Sequence, residues 1–449
     1  MDKFKNIIIG FGKAGKTLAK YLAQHDETVL LIERSKQMYG GTCINVGCLP
    51  SKNLILNGQR GLDFTTAVNK RGEMTRQLRD KNYHMVADEP LATVWNGSAR
   101  FIDNYVLAVV MSDGTTKKVR GERIFINTGA VPNWPSIPGL EFGQRIFTSK
   151  EAMELKKQPK RLAIIGGGYI GLEFAGMFNS FGTHVTIFDQ HTGLLEREDP
   201  DIATEVVADL TDAGIEIKPA TQLTQVKDNG EKVTLYYQQG DQTNTAEFDA
   251  VLVAVGRRPN VSSLGLENTD IALTNRGAIQ VDDHLRTTVQ NIWALGDVNG
   301  GPMFTYVSLD DFRIIIDQLF GKGDRSTADR MVIPTASFLN PSLANVGLNE
   351  RQAKSAGYDL QTFKLSVKAI PKARVLEDQR GLYKVIVDQK THLILGATLY
   401  AAEAHETINL IALAMKAKLP YERLRDMIYT HPTMSEALND LFKTPVVKS

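Results

Sequence analysis

The sequence is poor in cysteine. Its 449 residues include only Cys43 and Cys48, so within one chain no other position can form a disulfide. A structural zinc site needs about four ligands, and no second cysteine pair supplies the remainder; we therefore predict no metal site. Few cysteines and no export signal are typical of a reducing compartment. We expect a cytoplasmic protein in which a disulfide is catalytic or regulatory.

Long apolar runs and a charge excess are also missing. No stretch reaches the roughly eighteen apolar residues of a membrane span. The 52 basic and 51 acidic residues give a net charge of +1, which offers no attraction to nucleic acid or to an anionic membrane. With 43% hydrophobic and 23% charged residues, the composition is that of a globular protein, and the length suggests about three domains.

The spacing of the two cysteines leaves two interpretations open. They could be small buried hydrophobic residues that lie close together by chance, or a redox dithiol beside an electron source. A dithiol requires a bend, because five residues along a regular helix rotate by roughly 500° and would leave the two side chains apart. Gly47 between the cysteines and Pro50 after them suit such a bend.

A dinucleotide-binding pattern begins near the N-terminus. The apolar run Ile7–Ile9 predicts a buried strand, followed by a glycine turn, a helix to about Gln24 and a second strand at Val29–Ile32. The glycines allow a tight turn, close approach of a pyrophosphate and helix–strand packing, and an acid about 20 residues further on binds ribose. The residues in these positions are Gly10, Gly12, Gly15 and Glu33.

The same pattern occurs a second time. A strand at 161–165, a glycine turn, a helix to about Phe181 and a strand at 185–188 precede a second acid. The corresponding residues are Gly166, Gly168, Gly171 and Asp189. Two such units imply two dinucleotides, of which a nicotinamide could donate hydride while a flavin passes electrons to the cysteines. Asp189 would repel a 2′-phosphate, and the next arginine is Arg197 between two glutamates, so we predict NADH rather than NADPH.

Four segments carry a resemblance to a known family. The stretch Gly41-Thr42-Cys43 through Gly47-Cys48 to Pro50-Ser51-Lys52, lying between two nucleotide-binding units, resembles the FAD-dependent pyridine nucleotide-disulfide oxidoreductases. Three further motifs are similar to that family: Ile126–Ala130 with Thr128 and Gly129, Val255–Asn260 with Gly256, and Ala294–Val298 with Asp297. The resemblance implies an α/β fold with two Rossmann-like domains and a C-terminal α+β dimerisation domain.

The resemblance also implies boundaries for these domains. The FAD-binding domain would comprise residues 1–147 and 264–330, with the NAD(H)-binding domain inserted at 148–263. Residues 331–449 would form the dimerisation domain.

The family's roles map onto particular residues. Cys43 would meet the substrate, and Cys48 would face the flavin, where Lys52 would pair with Glu173. Flavin contacts would come from Gly41, Thr42, Lys52, Thr128, Gly129 and Asp297. A thiol exchanging protons near neutral pH needs a carrier such as histidine, oriented by a carboxylate. His431 and Glu436 would fill these roles, with His431 supplied by the partner subunit of a homodimer.

The acceptor is predicted from a narrower resemblance. Phe11–Thr17, Met38–Gly41, Phe304–Asp311 and Met434–Asp440 are similar to the bacterial reactive-chlorine-resistance flavoproteins, which are associated with Cu(II) reduction by NADH. Alternatives are reduction of a small disulfide of the lipoamide or glutathione type, or of Hg(II). A flavoprotein redox sensor without physiological turnover is the alternative outside enzymes.

Overall fold

The computed structural model describes residues 1–446, so Val447–Ser449 at the end of the predicted dimerisation domain lie outside the described residues. The strands are β1 (Asp2–Ile9), β2 (Val29–Glu33), β3 (Ala92–Asp103), β4 (Val106–Met111), β5 (Thr116–Ile126), β6 (Ala130–Pro132), β7 (Ile146–Phe147), β8 (Arg161–Ile165), β9 (His184–Phe188), β10 (Glu216–Lys218), β11 (Thr221–Asp228), β12 (Val233–Gln239), β13 (Gln242–Phe248), β14 (Ala250–Val253), β15 (Arg257–Pro259), β16 (Ile292–Ala294), β17 (Thr335–Ser337), β18 (Ser342–Gly347), β19 (Leu360–Ser366), β20 (Leu382–Asp388) and β21 (Ile394–Ala401).

The α-helices are α1 (Lys13–Ala23), α2 (Thr42–Asn45), α3 (Cys48–Gln59), α4 (Phe64–Ala87), α5 (Ser149–Ala152), α6 (Tyr169–Ser180), α7 (Pro200–Asp212), α8 (Thr305–Phe320), α9 (Glu350–Ser355), α10 (Pro371–Val375), α11 (Ala404–Lys416), α12 (Glu422–Arg425) and α13 (Ala437–Leu441). No helix within residues 1–446 combines the length and the hydropathy that a membrane span needs.

The first sheet places the first glycine turn. Parallel pairing runs in the order β3-β2-β1-β5-β16, and β4 pairs antiparallel with both β3 and β5. Its central strand β1 is apolar from Ile7 to Ile9 because both faces are covered, and these side chains are at most 4% exposed. The carboxyl ends of β1, β2 and β5 therefore meet at one edge, where ligands bind in such sheets.

The second sheet repeats this arrangement. It is wholly parallel, in the order β10-β9-β8-β14-β7, and the antiparallel sheet β11-β12-β13 is inserted in the chain between β10 and β14. Strand β7 pairs with β14, so Ile146 and Phe147 lie in this second sheet although the predicted boundary at 147 placed them in the first domain. The two sheet units are joined by a two-stranded ribbon in which β6 pairs antiparallel with β15.

The C-terminal residues form a third unit. Its sheet is antiparallel, in the order β17-β18-β21-β20-β19, and α11 packs on one face through Ile408 and Ile411, which are buried in the same core as Tyr383 and Leu399. The fold class is confirmed: two Rossmann-like units and a C-terminal α+β unit.

Candidate active site

The cysteine pair lies at a break between two helices. Cys43 is in α2, which ends at Asn45, and Cys48 is the first residue of α3, with Gly47 as its N-cap. Gly47 packs closely on α2, since a Cβ there would lie 3.0 Å from the carbonyl oxygen of Thr42. The predicted bend is confirmed, and it turns Cys43 and Cys48 towards one cleft, where both are accessible to solvent.

The surroundings make the two thiols unequal. Hydrogen bonding from Cys43 lowers the pKa of Cys48 to about 6, and the Thr305 hydroxyl and the Lys52 ammonium act in the same direction against burial. The Sγ of Cys48 lies 3.6 Å from Oγ1 of Thr305. The helix N-terminus at Cys48 also favours a thiolate. The hydrogen bond to Cys48, together with burial, raises the pKa of Cys43. Near neutral pH the reduced pair therefore holds a thiolate at Cys48 and a proton at Cys43.

A partly buried ion pair lies one helical turn along α3 from Cys48. Nζ of Lys52 is 2.6 Å from Oε2 of Glu173 on α6. The other oxygen, Oε1, accepts a hydrogen bond from the backbone N–H of Phe338 at 2.8 Å, and the Lys52 ammonium lies 4.9 Å from the centre of the Phe338 ring. The structure thus brings together Lys52 and Glu173, predicted as a pair, at the wall of the cleft.

The cleft is large and draws on all three units. Its volume is about 1140 Å³, above the usual range for a site that takes one drug-sized ligand. Its walls are the first glycine turn, the cysteine segment, the start of α6, the start of α8, and the faces of β17 and α11. Most of the predicted flavin-contact residues line it: Gly10, Gly12, Glu33, Gly41, Thr42, Lys52, Thr128, Gly129 and Asp297.

The first glycine turn is shaped for close approach. Gly10 has φ +103°, a conformation that L side chains rarely adopt, and a Cβ at Gly12 would collide with Oδ1 of Asn127. A Cβ at Gly15 would lie 2.6 Å from the carbonyl oxygen of Gly10. Glu33 accepts a hydrogen bond from the backbone of Phe11 at 3.0 Å, and burial raises its pKa. Such a cradle fits the pyrophosphate and ribose of FAD.

The cleft is also lined by a partly buried carboxylate, that of Asp297. Burial raises the pKa of Asp297, and the Arg257 guanidinium acts in the opposite direction. Thr128 is held in place by a 2.8 Å hydrogen bond from its hydroxyl to the carbonyl of Asn260. An oriented carboxylate of this kind suits the hydroxyl groups of a flavin side chain. Gly256 has φ +94° and leads into β15; it is outside the set of cleft-lining residues.

The second glycine turn repeats the first. Gly166 has φ +105°, and a Cβ at Gly171 would collide with the carbonyl oxygen of Gly166. Gly168 is the N-cap of α6. Asp189 follows β9 and accepts hydrogen bonds from the backbone N–H of Gly167 at 2.5 Å and of His191 at 2.8 Å. The turn therefore presents a carboxylate where a ribose hydroxyl of a second dinucleotide would lie.

The predicted proton carrier lies elsewhere on the same chain. Nδ1 of His431 is 2.8 Å from Oε2 of Glu436, so these two residues are in contact. The His431 side chain is 69% exposed and is not among the residues that line the cleft. The structure of one chain does not bring His431 to Cys43.

Several residues at the cleft had no role in the sequence analysis. Thr305 contacts Cys48 from the first turn of α8. His405 is hydrogen-bonded through Nδ1 to Ser342 at 3.1 Å and lies 5.0 Å from the Phe338 ring. Thr305 lies in the segment Phe304–Asp311 that carried the narrower resemblance, which assigned it no role, and His405 carried no signal. No group of three or more potential metal-ligating His, Cys, Asp or Glu side chains occurs within residues 1–446.

The fold, the two glycine turns and the cysteine pair define a class of enzyme. Residues 4–311 match the pyridine nucleotide-disulphide oxidoreductase family, and residues 333–442 match the dimerisation domain of that family. The chain belongs to this family, and it is an FAD-dependent oxidoreductase that uses a nicotinamide cofactor. The matched dimerisation domain supports a homodimer.

Particular relatives narrow the comparison. The chain is 47% identical over 442 residues to the probable pyridine nucleotide-disulfide oxidoreductase RclA of Escherichia coli K12, covering 98% of this chain and 99% of that protein. It is 33% identical to a mercuric reductase of Staphylococcus aureus, covering 96% of this chain and 80% of that protein. A solved structure described as the Cu(II) complex of the HOCl-induced flavoprotein disulfide reductase RclA from E. coli superposes with a TM-score of 0.95 at 47% identity, covering 99% of both chains. The predicted resemblance to this group is confirmed.

Proposed function

We propose that the protein is an NADH-dependent FAD flavoprotein that reduces Cu(II) through Cys43 and Cys48 during defence against reactive chlorine. The observation that carries the proposal is a thiol pair with a low-pKa member facing the cofactor cleft, in a chain closely similar to RclA over its whole length. The solved RclA structure is described as a Cu(II) complex of an HOCl-induced protein. A cytoplasmic setting suits a cysteine pair that works as a redox centre.

The cofactors supply hydride and two-electron chemistry when they are bound, and the residues of the chain orient them and move protons. Cys48 would be the sulfur that faces the flavin, and Lys52 with Glu173 would supply fixed charge beside it. Cys43 gives electrons to the acceptor. Oxidation of one thiolate and one thiol to a disulfide reduces two Cu(II) ions to Cu(I) and releases one proton. His431 of the partner subunit, oriented by Glu436, accepts that proton.

The domain roles follow from the same proposal. Residues 1–147 and 264–330 hold FAD, except that Ile146 and Phe147 belong to the second sheet. Residues 148–263 hold NADH, and residues 331–449 form the dimer face. The preference for NADH is supported by Asp189, whose carboxylate at the second glycine turn repels a 2′-phosphate.

Steady-state oxidation of NADH by the purified FAD-loaded protein tests the proposal. The assay is run without oxygen, with Cu(II) and a Cu(I)-trapping chelator, and in parallel with Hg(II), lipoamide and oxidised glutathione. We expect Cu(II) to support the highest kcat/KM, and NADH to exceed NADPH. Faster turnover with a disulfide or with Hg(II) would reassign the acceptor. No acceptor exceeding slow oxygen consumption would favour a redox sensor.

A cysteine variant separates the dithiol route from direct transfer. Cys43→Ser should retain FAD, measured by its absorbance, and lose Cu(II) reduction, because the remaining sulfur cannot form the disulfide. Full activity in Cys43→Ser would show that electrons reach copper without the pair. The comparison of NADH with NADPH is a separate test, because it reports on the nicotinamide-binding site and not on the cysteine pair.

A further inference from the structure

A lysine of the first nucleotide-binding helix is buried beside the cysteine segment. Lys16 follows the third glycine of the first turn, and the residue is 4% exposed. Burying an ammonium is costly unless other groups compensate for the lost hydration. Nζ of Lys16 donates to the carbonyl oxygen of Gly40 at 3.4 Å and to Oδ1 of Asn82 on α4. Both acceptors are neutral, and within residues 1–446 no carboxylate forms an ion pair with Lys16.

The turn that Lys16 contacts leads directly into the Cys43 helix. Gly40 and Gly41 have φ +95° and +80°, and a Cβ at Gly41 would lie 2.8 Å from Cα of Gly12. Asn45 closes the same turn by donating to the carbonyls of Tyr39 and Gly41, each at 2.9 Å. The position of Cys43 is therefore set by a short segment that the Lys16 ammonium helps to hold.

Charge links Lys16 to Cys43 in both directions. Burial, and to a smaller extent the charge of Lys13, lower the pKa of Lys16 to about 8, whereas Cys43 acts to raise it. The Lys16 ammonium in turn opposes the rise in the pKa of Cys43 that Cys48 and burial cause. The other charged group at this turn is Arg79, which donates to Oδ1 of Asn45 at 2.9 Å. Lys16 is the cation whose charge acts on Cys43, whereas Lys52 and Arg257 interact with Cys48.

We propose that Lys16 is a positioning residue for Cys43. The buried ammonium of Lys16 holds the Gly40–Gly41 turn and favours the Cys43 thiolate once the cysteine pair is reduced. The inference rests on the proposed dithiol role of Cys43. A hydride equivalent from the nicotinamide cofactor brings two electrons and one proton, which break the S–S bond and leave one thiolate and one thiol. Lys16 increases the share of the thiolate carried by Cys43, the sulfur that faces the acceptor.

The test isolates one thiol, because two coupled thiols titrate as a pair. In FAD-loaded Cys48→Ser protein, the rate of iodoacetamide alkylation of Cys43 is measured against pH by peptide mass spectrometry. Adding Lys16→Met should raise the midpoint by about one pH unit, since a nearby opposite charge usually shifts a pKa by about one to three units. At a pH well below the midpoint, a midpoint that is one pH unit higher lowers the thiolate fraction about tenfold. The alkylation rate should fall by only about threefold, because the thiolate of a weaker acid is a better nucleophile.

Matched variants exclude a purely structural role. Lys16→Arg keeps the charge and should keep the midpoint. Lys20→Met removes an exposed charge one turn further along α1, paired with Glu89 at 3.8 Å, and should leave the midpoint unchanged. If Lys16→Met does not fold, Asn82→Asp places a carboxylate against the ammonium and should also raise the midpoint.

An unchanged midpoint in Lys16→Met, or in Asn82→Asp when the first variant does not fold, overturns the inference. An equal shift in Lys20→Met does the same. These readouts need no acceptor, so failure of Cu(II) reduction in the steady-state assay is a separate result.

Discussion

Replacing Thr305 by valine should raise the pKa of Cys48, because valine matches threonine in shape and lacks the hydroxyl. Hydrogen bonds to charged groups contribute about 1.5–3 kcal/mol. The distance of 3.6 Å between Oγ1 and Sγ is long, so we take the lower end of this range, about 1.5 kcal/mol, which corresponds to about one pKa unit. Starting from a pKa of about 6, the variant should titrate near pH 7. At pH 6.5 the thiolate fraction of Cys48 would then fall from about three-quarters to about one-quarter.

The pH dependence of Cys48 alkylation measures this shift. Phosphine-reduced, FAD-loaded protein is treated with iodoacetamide over a range of pH, and the modified Cys48 peptide is quantified by mass spectrometry. The midpoint is the readout, because a weaker acid is also a better nucleophile and the rate at one pH understates the change. Thr305→Ser keeps the hydroxyl and should keep the midpoint near pH 6. A Thr305→Val midpoint equal to that of the parent would show that the hydroxyl does not stabilise the thiolate.

The other predictions concern stability, the ion pair and the dimer. Lys384→Met removes an ammonium that is 3% exposed among three carboxylates and should lower the free energy of unfolding in urea by about 3–5 kcal/mol; Lys354→Met, at an exposed pair, should change it by less than about 0.5 kcal/mol. Glu173→Gln should lower kcat for NADH oxidation about tenfold with FAD retained, and unchanged kcat would remove this residue from the proposed site. Subunit exchange between inactive Cys43→Ser and His431→Ala dimers should restore about a quarter of the parent activity if sites form across a two-fold interface, whereas a site within one chain predicts no recovery.

Local pattern was enough to place the two nucleotide-binding units. Apolar strands ending in glycine turns and acids leave few alternatives once a helix follows, and β1, β2, β8 and β9 lie where the pattern predicted. The helix break at Gly47 was also predictable, because a dithiol with this spacing needs one. Sequence resemblance predicted that Lys52 pairs with Glu173 and His431 with Glu436, and both contacts are present. In each case the information lies within a short segment or a shared motif.

The residues that tune the thiols were not predictable, because their positions depend on how distant segments close. Thr305 lies 257 residues from Cys48 in the chain, and its hydroxyl reaches the sulfur only after α8 packs beside the first sheet. Lys16 has the sequence setting of an ordinary surface lysine on an amphipathic helix, and it is buried because α4 and the Gly40–Gly41 turn cover it. The pairing of β7 (Ile146–Phe147) with β14 was not predictable either, because a two-residue strand has too little periodicity to show its partner.

The ribbon of β6 and β15 has a consequence for how this enzyme class diversifies. The chain enters the second nucleotide-binding unit through β6 and leaves it through β15, and these two strands are paired. Next to them, the backbone N–H of Asn260 donates to the carbonyl of Gly129 at 2.9 Å. The inserted segment is thus joined to the rest of the chain at one place, through the paired strands β6 and β15. A homologous segment with a different coenzyme preference could therefore replace it by joining the chain at these two neighbouring strands. The flavin-side sheet would keep its register throughout such an exchange.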